Sequence, residues 1–121
     1  MRASAVALSL LLAAACAHHG FVSDRLYCGL SIPGGGTVTQ SDLDAFIVAE
    51  VEPRFPEGFT VWRARGQWKG GNEETMVIEI LHPPTPQLDA AVRQIADAYR
   101  TRFRQEAVLR VTSPARMTLH R

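Results

Sequence analysis

At 121 residues the chain has room for one domain, and 46% of it is hydrophobic, an ordinary fraction for a folded core. A formal charge of +1, with Lys69 the only lysine and no Lys/Arg-rich run, leaves out nucleic acid as a partner, because that binding rests on a surplus of basic groups against phosphate. With two cysteines, Cys16 and Cys28, the chain cannot rely on a disulfide framework, so the core must carry folding.

The N-terminus opens with Arg2 followed by an uncharged Ala/Leu/Val-rich run that ends in small residues at Cys16. A bilayer core needs ~20 apolar residues, so the run reads as a signal peptide over residues 1–15 rather than as a membrane span. The stretch Leu12-Ala13-Ala14-Ala15-Cys16 resembles a bacterial lipobox, with Ala13 where the leucine usually stands and Leu12 one place further back. Cys16 is therefore the expected lipidation site and a lipid anchor the expected attachment, with a short tether over residues 16–23. Ala13-x-Ala15 also fits ordinary cleavage, which gives a soluble secreted chain as the alternative. Without residues 1–15 the chain carries twelve Lys+Arg against twelve Asp+Glu and is neutral, so no polybasic patch contributes to membrane attachment.

Asp24 to Ile32, DRLYCGLSI, alternates with Leu26, Cys28, Leu30 and Ile32 on one side and Tyr27, Gly29 and Ser31 on the other, the period of a half-buried strand. Pro33 to Gly36 breaks it. Leu43, Phe46, Ile47 and Val51 then recur at helical spacing behind Thr39, a suitable N-cap with Asp42 three residues on, and Pro53, Pro56 and Gly58 end the helix. Phe59–Trp68 and Glu73–His82 read as two strands joined through Lys69–Asn72 in a hairpin. Thr85 and Pro86 supply an N-cap and a first helical residue for a second helix, whose apolar stripe is Leu88, Val92, Ile95, Tyr99 and Phe103. Ala107 to His120 closes the chain as a strand interrupted near Pro114.

The order strand, helix, strand, strand, helix, strand predicts an α+β domain over residues 24–121. Its pattern is the ferredoxin-like βαββαβ fold, an antiparallel sheet with both helices on one face. The other face stays open, and it is the expected surface for a homodimer or a ligand. Unpartnered arginines are costly to bury, which assigns Trp62 and Ala64 to the core side and Arg63 and Arg65 to the open side. The same reasoning sends Leu109 and Val111 inward and Arg110 and Thr112 outward. Tyr27, Ser31, Arg63, Arg65, Glu79 and Arg110 then gather on the open face as a candidate ligand surface. Arginine forks would meet a carboxylate or phosphate there, and Tyr27 would stack or donate a proton.

The triple glycine Gly34-Gly35-Gly36 stands between a strand and a helix, where a phosphate loop would stand. It lacks the Lys-Ser/Thr pair of one nucleotide-binding loop and the spaced glycines of another, so it reads as a turn. Of the four histidines, His18 and His19 fall in the tether, His82 ends a strand and His120 lies near the C-terminus, and no zinc spacing joins them. A free Cys16 amine with His18 third from it is an arrangement that takes Cu(II) or Ni(II), and acylation of Cys16 removes it. No metal and no cofactor is therefore expected, and no catalytic residue can be named. Cys28 on the apolar side reads as a core residue rather than a nucleophile.

The blocks LYCGLSIPGGG, VEPRFPEGFTVWRARGQW and YRTRFRQEAVLRV resemble a bacterial family of small exported proteins, domain of unknown function 3574. The resemblance runs from about Asp24 to the C-terminus, and its most specific part is Pro53-Arg54-Phe55-Pro56-x-Gly58-Phe59-Thr60-Val61 followed by Gly66-Gln67-Trp68. It implies an exported, lipoprotein-like chain and brings no activity and no catalytic residues. In this block Arg54, Gln67 and Trp68 either shape the helix-to-strand corner and the hairpin or line a pocket at the hairpin end of the sheet. The sequence thus points to an envelope lipoprotein domain acting as a non-catalytic binding or interaction module. The alternative is a small-molecule enzyme or ligand-binding protein of the dimeric α+β barrel type that uses the open sheet face.

Overall fold

A computed structural model describes residues 20–121; the expected signal peptide over residues 1–15, Cys16, His18 and His19 lie outside the described residues. Strand β1 (Phe21–Gly29) begins ahead of the expected Asp24 and its ladder stops at Gly29. Helix α1 (Gln40–Phe46) widens into a π-type turn over Ile47–Val51, where the Glu52 N–H reaches back to the Ile47 carbonyl at 3.0 Å. Strands β2 (Thr60–Trp68) and β3 (Gly71–His82), helix α2 (Pro86–Arg102) and strand β4 (Leu109–Ala115) follow. The sheet order is β2-β3-β1-β4 with every neighbouring pair antiparallel. Since β3 lies between β1 and β2, this is the split βαβ, ferredoxin-like arrangement. Among the described residues no helix is long and apolar enough to cross a membrane.

Local chemistry fixes these boundaries. Thr39 and Asp42 form a reciprocal capping box: the Asp42 N–H donates to Thr39 Oγ1 at 3.1 Å, and the Thr39 N–H donates to Asp42 Oδ2 at 3.0 Å. Thr85 Oγ1 accepts from the Leu88 N–H at 3.2 Å and starts α2 behind Pro86. Gly34, Gly35 and Gly36 have φ of +90°, +125° and +93°, a run of positive φ that only glycine adopts cheaply. The turn closes through the Ile32 N–H on the Gly36 carbonyl and the Gly35 N–H on the Ile32 carbonyl, both at 3.0 Å. The glycines thus turn the chain from β1 into α1. The hairpin between β2 and β3 is tighter than the expected four-residue loop. Lys69 and Gly70 alone make the turn, with φ of +48° and +80°, and Trp68 pairs with Gly71. Pro114 does not interrupt β4, which runs through it as an edge strand where a missing N–H has least effect.

The core lies between the helices and one sheet face. Leu26, Cys28, Met76, Ile78 and Ile80 from the sheet meet Leu43, Phe46, Val92, Ile95 and Tyr99 from the helices. Each such side chain contributes roughly 1.5–3 kcal/mol when fully buried. Tyr99 is the centre of the aromatic part, edge-on to Phe46 with ring centroids 5.2 Å apart and 4.8 Å from Phe103.

The two outer strands face the opposite way from the expectation. Val61, Arg63 and Arg65 lie opposite Ile78, Met76 and Glu74 and so share the helix side, while Trp62 and Ala64 lie opposite Val77 and Thr75 on the open face. The arginines escape the cost of burial because β2 is an edge strand. Arg63 remains 49% exposed while its Nη2 meets Glu74 at 2.9 Å and its Nη1 reaches Gln40 on α1 at 3.4 Å. In β4, Arg110 and Thr112 point to the helix side opposite Leu26 and Asp24, and Leu109 and Val111 stand exposed on the open face. That face is consequently more apolar than the sequence suggests. Val77 is buried on it between its register partners Trp62 and Tyr27.

Candidate binding cleft

The alternation of β1 carries Asp24 to the same side as Leu26 and Cys28, where it is wholly buried. A carboxylate there demands donors, and four side-chain bonds supply them. Arg110 donates through Nε at 2.8 Å and Nη2 at 3.0 Å, Thr112 donates its hydroxyl, and His82 Nε2 lies at 2.6 Å. Arg110 also reaches Asp89 of α2 at 2.8 Å, and His82 Nδ1 faces the Pro83 carbonyl at 2.7 Å. Burial alone would raise the Asp24 pKa; the bonds from Arg110, Thr112 and His82 and the charge of Arg110 outweigh it and lower the value to about 2. Among the described residues no buried side-chain polar atom lacks a partner. Arg110 is therefore a structural cation occupied inside the domain, not a member of the open face. Cys28 is equally inert, since burial pushes its thiol up to about 12.

Arg63 and Arg65 border a shallow depression of about 400 Å³ along β2 and β3 that Glu73 and Glu74 also line, and Glu74 pairs with Arg63. Glu79 does stand on the open face, paired with Arg25 at 2.7 Å. Arg54 lies in the helix layer, with Nη1 on Glu50 Oε2 at 2.8 Å and Nε on Gln94 at 3.2 Å, so it braces the end of α1 against α2. Of its two readings Arg54 thus takes the one at the helix-to-strand corner, and it does not line the cleft with Gln67 and Trp68.

At the end of the open face where β1 finishes, the structure forms a cleft of about 430 Å³. Its floor draws on all four strands: Gly66 and Trp68 of β2, Glu73 and Thr75 of β3, Tyr27 and Gly29 of β1, and Leu109 of β4. Two of those floor positions are glycines, and the lack of side chains there opens the hollow. Ser31 to Pro33 and Gln105 to Ala107, from the loops after β1 and after α2, wall the cleft, and Gln67 and Asn72 line its hairpin side. Tyr27, Ser31, Gln67 and Trp68 are the expected residues that meet here; Glu73 and Gln105 join them without a sequence signal.

Gly29 is the position on which the polar end is built. A Cβ added there would stand 2.1 Å from Glu73 Oε1 and 3.2 Å from Gln105 Oε1, so only glycine lets both oxygens settle on the strand. Beneath it the buried Tyr99 hydroxyl donates to the Gly29 carbonyl at 2.7 Å and pins the strand from the core side. Gln105 arrives because Arg104 turns the chain at φ +50° after α2. Its amide Nε2 then donates to the Ser31 carbonyl at 2.9 Å and the Phe103 carbonyl at 3.1 Å. At the rim, Lys69 Nζ meets Glu106 Oε1 at 2.6 Å and lies 5.9 Å from the Trp68 ring centre, joining the hairpin turn to the loop before β4.

Residues 23–119 match the sequence profile described as protein of unknown function DUF3574. The chain belongs to the DUF3574 family. Among curated proteins no match was found. The DUF3574 fold is similar to that of a phage SAM lyase in its apo state, at 18% identity and a TM-score of 0.56 over 78% of this chain and 81% of that one. It is likewise similar to a phage SAM lyase in complex with S-methyl-5'-thioadenosine, at 21% identity and a TM-score of 0.53 over the same shares of the two chains. At these identities the likeness is one of fold.

Proposed function

We propose that this DUF3574 protein is an exported binding module, held to the bacterial envelope through Cys16, whose cleft takes a small nucleoside-like ligand. The observation that carries the reading is the meeting of Tyr27 and Trp68 with the amide side chains of Gln67, Asn72 and Gln105 around one hollow of about 430 Å³. A flat heteroaromatic base matches such a lining, since its faces stack on aromatic rings and its edges exchange hydrogen bonds with amides. The similarly folded phage lyase in complex with S-methyl-5'-thioadenosine holds a ligand of this kind. The segment Leu12–Cys16 supports the anchored location.

Calorimetric titration of the full chain with adenosine and with S-methyl-5'-thioadenosine tests the reading. Binding of either is expected, weakened about tenfold by Tyr27→Ala or Trp68→Ala, the scale of a lost aromatic contact. Absence of binding at millimolar nucleoside would sink it. An enzymatic reading on the same cleft draws on the fold shared with a lyase. Mass spectrometry of the recovered nucleoside separates the two: an intact ligand supports the binding module, and a cleaved one the enzyme.

A further inference from the structure

We infer that the ligand of this cleft carries a positively charged nitrogen, received by the Glu73 carboxylate and the Gln105 carbonyl oxygen above Gly29. The inference rests on the nucleoside-binding reading and adds the charge of the bound group. Three observations carry it. First, Glu73 is half-buried in the cleft and makes neither an ion pair nor a side-chain hydrogen bond among the described residues, whereas the neighbouring Glu74, Glu79 and Glu106 each have an Arg or Lys partner. Second, the Gln105 amide nitrogen is committed to two backbone carbonyls, so the group it presents to the cleft is its oxygen, an acceptor. Third, both oxygens converge over Gly29, 2.1 and 3.2 Å from where a Cβ would stand, and no arginine or lysine lines the cleft to neutralise them.

An anionic ligand would meet repulsion there and a neutral one would leave the carboxylate unanswered. A protonated amine supplies up to three donors, enough for both oxygens at once, and a charge-assisted bond is about twice as strong as a neutral one.

The test compares two probes that differ at one atom group: adenosine, and 5'-amino-5'-deoxyadenosine, whose amine is protonated at pH 7. Calorimetry on the full chain is expected to give the amino nucleoside about tenfold tighter binding than adenosine, with Glu73→Gln bringing that ratio to about one. High salt should reduce the preference as well. Equal affinity of the two probes for the native chain would overturn the inference and leave the nucleoside reading standing. Failure of both probes to bind would overturn the two together. Circular dichroism of the variant controls for folding, and Glu73, being only half-buried, is compatible with a folded variant.

Discussion

Asp24 shows how one residue reorders the reading of a strand. The apolar alternation of Leu26, Cys28 and Leu30 extends back to it, so its burial was written in the sequence as plainly as theirs. Its place at the start of the run instead suggested a strand boundary. A buried carboxylate needs cationic or polar donors, and following that demand would have turned Arg110 inward. Asp24→Asn leaves Arg110 and His82 around a neutral amide, and about 3–5 kcal/mol of destabilisation in urea is expected from breaking such a buried pair. Because the folded-state pKa of about 2 lies below the ordinary 3.8, the stability Asp24 supplies is complete above about pH 4 and drains away as the pH falls toward 2. Urea midpoints measured between pH 7 and pH 2 should therefore fall more steeply for the native chain than for Asp24→Asn.

Among the elements, those with strong local chemistry were legible and the edge strands were not. The capped helices, the glycine turn and the hairpin follow from Thr39, Thr85, Pro86 and the Lys69-Gly70 pair. The faces of β2 and β4 could not be read the same way: in each strand the arginines fall on a single parity, which resembles a solvated face, and the fold turns that parity to the helix side. The cost of a buried arginine decides orientation only where the strand is fully covered, and β2 is not. A contrast between two substitutions checks this account. Arg63→Ala should change stability by less than about 1 kcal/mol, since its pair with Glu74 is exposed. Arg110→Ala should cost about 3 kcal/mol or more by stranding Asp24, and parallel urea titrations compare the two. The cleft was half legible: the family block flagged Gln67 and Trp68 and the alternation placed Tyr27. Glu73 and Gln105 reach it only through the register of β3 and the turn at Arg104, both products of the folded chain.

For the whole molecule, the ferredoxin-like arrangement emerges from the order of elements, and the proposed envelope address rests on residues ahead of the described domain. Cys16 as a lipidated first residue predicts a definite mass. Intact mass spectrometry on protein from the host's membrane fraction should show an acylated chain beginning at Cys16, lost in Cys16→Ala. An unmodified chain would instead mark the secreted alternative. The family match over residues 23–119 covers nearly all of the described domain.

Strand β1 enters the sheet at Phe21, where His82 and Ala115 also lie by register, and leaves it at Gly29 in the floor of the cleft. The charged node around Asp24 occupies the first end and the hollow the second. The nine residues of β1 take eight steps of ~3.3 Å, so the strand is a stiff spacer of roughly 26 Å between Phe21 and the cleft floor at Gly29. A chain tethered ahead of Phe21 would hold its opening away from the lipid surface, like a cup on a short stem, and receive ligands from the aqueous side without detaching.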